Sequence, residues 1–348
     1  MLPWVQAVPQ ALAPRAALTE KTRLDAIRRA QVWTKTDVAA MDVKSGPAGP
    51  FAFRPGEHVT CDFVLRPRGS GSTLKFGCLS GADRELKVRY GDRNGEVYAQ
   101  VAATRLLWAL GFGANRMYPV TVACRGCTVD PWSQKKADPS AATTFDPATV
   151  DERMAGHTLE LKPDAGWSWK ELDLVDEAAG GAPAAERDAL KLLAGLIQHG
   201  SNKKPNQRLL CLDKELGGGP DTSDTCAHPF MMITDLGKTF GRANTFNKDA
   251  VESVNFKEWS AMTIWKEGAP GCVANLPGSF TGTLHHPAIG EPGRQFLAGL
   301  LTRLTDAQLH DIFDVARFPR RDPSATVDDW VRAFKQKRAE IVNRTCGA

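Results

Sequence analysis

The sequence predicts an α+β fold, on three observations. Short strand-like runs separated by Gly- and Ser-rich turns fill the stretch from His58 to Cys124. One long, apolar helix pattern, Glu96 to Leu110, interrupts them. From Pro292 to Val342 the chain reads as a succession of helices.

Taken in order, residues 1–55 read as an N-terminal extension. Thr19 or Thr22 caps a helix running to about Val32, with Leu24, Ile27 and Ala30 on one face. Ser45 to Pro50 breaks the chain as a linker. Val59 to Leu65 is a first strand and Thr73 to Cys78 a second, joined by a tip that contains Gly69 and Gly71. Such a tip can fold backbone N–H groups over phosphates, although an ordinary hairpin turn has the same composition. Glu85 to Tyr90 is a third strand. Leu86 and Val88 flank Lys87, so Lys87 points to the opposite face.

The helix that follows is rich in Ala and Leu over most of its surface, which predicts burial. Glu96 stands in its first turn, where a carboxylate suits the helix dipole. Arg116 to Cys124 reads as one or two further strands, and the Pro- and Ala-rich stretch from Asp130 to Pro147 as a connector. Glu186 to His199 is a helix, and it delivers the chain to a polar loop. Two apolar strand runs follow, Arg208 to Leu212 and Pro229 to Thr234, and the second ends at Asp235-Leu236-Gly237.

Composition excludes several classes. Hydrophobic content of 42% and charged content of 24% are ordinary for a globular chain. Basic residues number 44 and acidic residues 40, a net charge of +4, too mild and too dispersed to argue for nucleic acid. No apolar run reaches the roughly 18 residues of a transmembrane helix. The first residues lack a continuous apolar segment after a basic one, so no intact signal peptide is expected. The compartment is therefore cytoplasmic or, after removal of a signal, periplasmic or extracellular. The eight cysteines fit disulfides or buried free thiols equally. Cys124 and Cys127 form a C-x-x-C; a four-thiolate zinc site would want a second close pair, and the sequence has none.

The loop His199-x-Ser201-x-Lys203-x-x-Asn206 and the downstream Asp235-x-Gly237, together with the Gly69/Gly71 tip, Lys87 and Glu96, occur in the order of the protein-kinase-like superfamily. The chain resembles its atypical branch, the HipA-like and phosphoinositide-kinase-like proteins, over roughly residues 59–240. Neither an A-P-E element nor an ordinary G-x-G-x-x-G loop is present. The resemblance implies a two-lobed fold: an antiparallel-sheet N-lobe with one long helix over residues 56–130, and a mostly helical C-lobe over 131–348.

It also implies that ATP and Mg²⁺ bind between the lobes, in an atypical kinase or pseudokinase whose phosphoacceptor is a protein, a lipid or a small molecule. On that pattern Gly69 and Gly71 cover the phosphates, Lys87 grips them, and Glu96 orients Lys87. Asn206 and Asp235 hold the metal, and Lys203 neutralises the transferring phosphoryl group. Ser201 departs from the pattern, standing where the family has a catalytic Asp. A hydroxyl is a poor general base, so transfer is reduced, or falls to Asn202 or to a carboxylate from elsewhere. The rival expectation is a non-enzymatic binding or structural module without nucleotide.

Overall fold

The computed structural model describes residues 18–49, 51–66, 73–161, 165–212, 226–241 and 253–347. Gly69 and Gly71 lie outside the described residues. The chain is a mixed α and β structure, and the first element among the described residues is helix α1 (Glu20–Arg29). Thr19 caps α1 reciprocally with Thr22, which satisfies two otherwise orphaned donors. Its buried face is Arg23, Ala26 and Ile27, followed by Ala30, while Leu24 is exposed. Leu24 was expected on that face; Arg23 takes its place because its guanidinium is held by Glu171 at 2.7 Å and by the Gly166 carbonyl at 2.9 Å.

Five strands then close into a barrel. They are β1 (Glu57–Val64), β2 (Lys75–Ser80), β3 (Arg84–Tyr90), β4 (Arg116–Arg125) and β5 (Ala142–Glu152), in spatial order β1-β2-β3-β5-β4. Four of the neighbouring pairs are antiparallel. The fifth, β1 against β4, is parallel and shuts the ring. The sheet expected to be antiparallel thus contains one parallel pair, and that pair closes it.

The stretch from Asp130 to Pro147 is also corrected. Its last third, from Ala142, is the start of β5, whose Phe145, Ala148 and Val150 fill the barrel. Pro147 disguised the strand. It is tolerated where the β4–β5 register shifts between Val120 and Val122. The barrel thus draws its last strand from beyond residue 130, where the sequence reading placed a boundary.

Between β3 and β4 runs helix α2 (Glu96–Ala109), buried on nearly every side as its composition predicted. Gly111 ends it at φ +89°, and an added Cβ there would sit 2.1 Å from the Thr34 carbonyl oxygen. A second sheet, β6 (His157–Thr158), β7 (Gln207–Cys211) and β8 (Pro229–Ile233), is antiparallel throughout. Helix α3 (Ala184–Leu196) lies between β6 and β7 in the chain. Beyond lie α4 (Phe256–Ala261), α5 (Glu291–Leu301), α6 (Asp306–Val315), α7 (Phe318–Arg321) and α8 (Val327–Asn343). Thr305 and Thr326 cap α6 and α8 through reciprocal bonds.

The apolar interior falls into two principal parts. One fills the barrel around Phe76, Tyr90 and Phe145. The other joins α1, α2, α3 and the C-terminal helices around Trp259, Phe313 and Trp330. Helix α2 belongs to the second part while lying against β3, β4 and β5, so it couples the two.

All eight cysteines are paired: Cys61–Cys78, Cys124–Cys127, Cys211–Cys226 and Cys272–Cys346. No helix is long and apolar enough to cross a membrane among the described residues.

Candidate functional site

Of the charged residues singled out from the sequence, Glu96 and Asp235 are joined through Gln100 on α2. Strand β3 alternates, with Leu86 and Val88 turned into the barrel and Lys87 and Arg89 turned out. Of the two cations, Arg89 forms the buried ion pair with Glu96. Lys87 reaches Asp151 on the neighbouring strand at 2.6 Å and stays 47% exposed. The cation seated against the helix carboxylate is therefore Arg89, two residues beyond the one expected. Asp151 also accepts from Asn115 at 2.9 Å and lies 3.4 Å from Arg89. Lys75 is the register partner of Arg89 across β2 and β3, so the two share the outer face.

Glu96 is held from several directions. Thr73 Oγ1 donates to its Oε2 at 3.0 Å, and Gln100 Nε2 lies 3.4 Å from the same oxygen. The same Nε2 lies 3.4 Å from Asp235 Oδ1. One amide thus spans a carboxylate of α2 and the carboxylate of the Asp-x-Gly turn. The two oxygens lie no more than about 7 Å apart, where like charges repel by on the order of 2 kcal/mol at an effective dielectric of about 20.

Burial is the largest influence on the Glu96 carboxyl and raises it; Arg89 opposes this and Asp235 adds to it. Burial also lowers the Lys75 ammonium, helped by Arg89 and Lys87 and opposed by Glu96 and Asp235. For Arg89, burial works downward but Glu96 and Asp151 more than offset it, so the guanidinium is held more firmly charged.

Gly237 has a stringent reason to be glycine. A Cβ there would meet Glu96 Cγ at 2.3 Å and Cδ at 2.6 Å. The turn can approach α2 only because that atom is missing. The Gly237 N–H also donates to Asp235 Oδ1 at 3.0 Å, which aims the carboxylate.

The polar loop before β7 is laced to this turn. The Asn206 carbonyl accepts from Thr234 N at 2.8 Å, from Thr234 Oγ1 at 2.9 Å and from Asp235 N at 3.3 Å. Its side-chain Nδ2 donates to the Ser201 carbonyl at 2.7 Å, which leaves Oδ1 as the acceptor end. Gly200 N donates to the Lys238 carbonyl at 2.7 Å. Lys203, half-buried, precedes the short 3₁₀ turn Lys204–Asn206.

His199 is fully buried, its ring against Trp169 at 6.0 Å between centroids. Asn202 is also fully buried, and its amide is spent. It donates to the His199 and Leu284 carbonyls and accepts from the N–H groups of Thr283 and Leu284. It holds two loops together and is no substitute for a catalytic carboxylate.

Among the described residues, then, Glu96, Asn206 and Asp235 converge, with Ser201 one hydrogen bond further, and Lys87 is set on Asp151. The sequence reading missed Arg89, Gln100, Asp151, Lys75 and Thr73. Arg89 had a signal available, since it shares the face of Lys87. Gln100 had one as well, one helical turn from Glu96.

A cavity of about 190 Å³ opens beside Glu96, lined by Thr73, Arg93, Lys238 and Ser253 among others. Its volume lies below the ~300 Å³ at which a pocket usually takes a whole small molecule. A larger one, about 700 Å³, is lined by Thr22, Asp25, Arg29 and Cys226 and shares none of the charged residues above.

No protein-family model matches the chain, and none of the curated proteins matches it. Among solved structures the chain is similar to the proinflammatory kinase CtkA of Helicobacter pylori. The two are 10% identical, with 83% of this chain and 96% of that one covered, at a TM-score of 0.44. So distant a likeness carries no argument, and the functional reading rests on the geometry.

Proposed function

We propose that the site where Glu96 meets Asp235 binds the phosphates of a nucleoside triphosphate with Mg²⁺, and that the protein is an atypical kinase or pseudokinase with reduced phosphoryl transfer. The observation that carries this reading is the Gln100 amide spanning Glu96 and Asp235. Two carboxylates drawn this close, one of them buried beside Arg89, leave a local charge pattern that suits a hard divalent cation.

The residues fit such an ion in kind. Asp235 has a second carboxylate oxygen beyond the one that Gly237 and Gln100 engage, and Asn206 turns its Oδ1 free by donating from Nδ2. The buried Gln100 Oε1 has no partner among the described residues. When bound, Mg²⁺ would offset the charge of the carboxylates and of the phosphates. In this reading Arg89 and Lys75, rather than Lys87, present positive charge toward the phosphates, and Lys203 faces the transferring group. Ser201 supplies no carboxylate and Asn202 is spent, so the acceptor hydroxyl is oriented without a strong base at that position.

The four disulfides support folding in an oxidising compartment.

A thermal-shift titration with ATP and Mg²⁺ tests the proposal, repeated on Asp235→Ala. Ligand at about a hundred times its Kd stabilises a folded protein by roughly 2.7 kcal/mol. The expected result is a rise in Tm that requires both Mg²⁺ and Asp235.

One observation favours a second reading, a structural module without nucleotide. Both outward cations of β3 already have carboxylate partners. That reading predicts no rise in Tm with ATP and Mg²⁺ for either protein.

A further inference from the structure

In the barrel, three cysteines from three neighbouring strands gather into one cluster, and a fourth, in the turn after β4, is bonded to one of them. Cys61 on β1 is the register partner of Cys124 on β4, and Cys78 lies on the other side of Cys61, on β2. Cys127 follows β4 and is bonded to Cys124. The two disulfides touch: Cys78 Sγ lies 3.8 Å from Cys124 Sγ. The sulfurs of Cys61, Cys78 and Cys124 all lie within 4.8 Å of one another. None of the four residues is more than 1% exposed. Among the described residues, no other group of three metal-ligating side chains comes this close.

These separations suit more than one chemistry. Four thiolates at about 2.3 Å from a tetrahedral zinc ion stand roughly 3.8 Å from each other. The contact between the two disulfides already has that spacing, and opening each S–S bond would bring the others toward it. A C-x-x-C pair is a common half of such a site, and the second half is supplied here by strand neighbours that are distant in sequence. That second pair is what sequence spacing alone failed to provide.

We propose that Cys61, Cys78, Cys124 and Cys127 form a redox-gated zinc site: two disulfides under oxidising conditions, four thiolates around one Zn²⁺ under reducing ones. The conversion balances with a dithiol as reductant. Each protein disulfide takes two electrons and two protons from one dithiol, which leaves as its own disulfide. The four resulting thiols then release four protons as Zn²⁺ binds. Cys211–Cys226 and Cys272–Cys346 take no part.

The test uses the full chain, reduced anaerobically with dithiothreitol, desalted and offered Zn²⁺ or Co²⁺. Bound zinc is measured by elemental analysis, and Co²⁺ by its thiolate charge-transfer absorption. The expected result is one metal per reduced chain and less than a tenth of that in the oxidised chain. The Cys272→Ser/Cys346→Ser variant is expected to keep the metal, and Cys61→Ser/Cys78→Ser to lose it at least tenfold. Circular dichroism is recorded throughout. A reduced chain that is unfolded alone and regains structure with Zn²⁺ supports the proposal. A reduced chain that binds no stoichiometric metal, folded or not, overturns it, as does metal retained in Cys61→Ser/Cys78→Ser.

Discussion

Arg89 and Glu96 form a buried ion pair, their side chains 3% and 7% exposed, at the point where β3 meets the first turn of α2. Removing one partner of such a pair leaves an uncompensated charge inside. Arg89→Ala is expected to destabilise the protein by about 3–5 kcal/mol. Lys87→Ala removes a cation that is half in water, while Asp151 keeps Arg89 and Asn115. It is expected to cost at most about 1 kcal/mol. Urea unfolding of the two variants side by side checks the order; equal losses would put the structural weight on the wrong cation.

Gly237→Ala tests how close the Asp-x-Gly turn must come to α2. The added methyl would overlap Glu96 Cγ and Cδ, so the turn or the helix start must move. The expected cost is about 1–3 kcal/mol, typical of overpacking. Any Mg²⁺–ATP stabilisation seen in the parent should be lost with it. A variant as stable and as responsive as the parent would show that the approach is not required.

Asn202→Ala separates scaffold from chemistry. The substitution strips a partner from the His199 and Leu284 carbonyls and from the Leu284 N–H, all buried, while the Thr283 N–H keeps the Asn202 backbone carbonyl. A loss of more than about 2 kcal/mol is expected from the orphaned groups. Ser201→Asp is the complement. It supplies a carboxylate at that position, and in the kinase-like reading it raises phosphoryl transfer from ATP, measured as ADP release. No gain over the parent would show that a missing base is not what limits transfer.

Glu186 supplies a pH signature away from that site. Burial, with the nearby Glu177 charge, raises its carboxyl from 4.5 to about 7. A carboxyl whose folded value is raised binds its proton more tightly in the folded state. Its contribution is therefore present below the unfolded value and is lost as pH rises through the window from 4.5 to about 7. Glu186→Gln is expected to flatten that part of the stability profile, read as the urea midpoint across the window. An unchanged slope would assign it to another group.

Much of this arrangement was legible in the residues. Strand-like runs separated by Gly- and Ser-rich turns placed β1, β2 and β3, and the Ala- and Leu-rich pattern placed α2 as a buried helix. The spacing from His199 to Asn206, and Asp235 with Gly237, marked two loops that the structure laces together. What stayed hidden depended on contacts far apart in the chain. Strand β5 carries Pro147, a residue that reads as loop, and only its pairing with β3 and β4 makes it a strand. Lys87 and Arg89 are both cations on one face, and local pattern cannot say which of them the incoming helix will meet. The cysteine pairing was equally undetermined, because Cys61 and Cys78 become neighbours only once β1 and β2 are paired.

The parallel contact of β1 with β4 has a further effect. An open five-stranded sheet would present two rims of unsatisfied N–H and C=O groups, each a template for an incoming strand from another molecule. Over Glu57–Asp62 and Val120–Arg125 each rim is consumed by the other. Along that seam the sheet is closed to growth by strand addition.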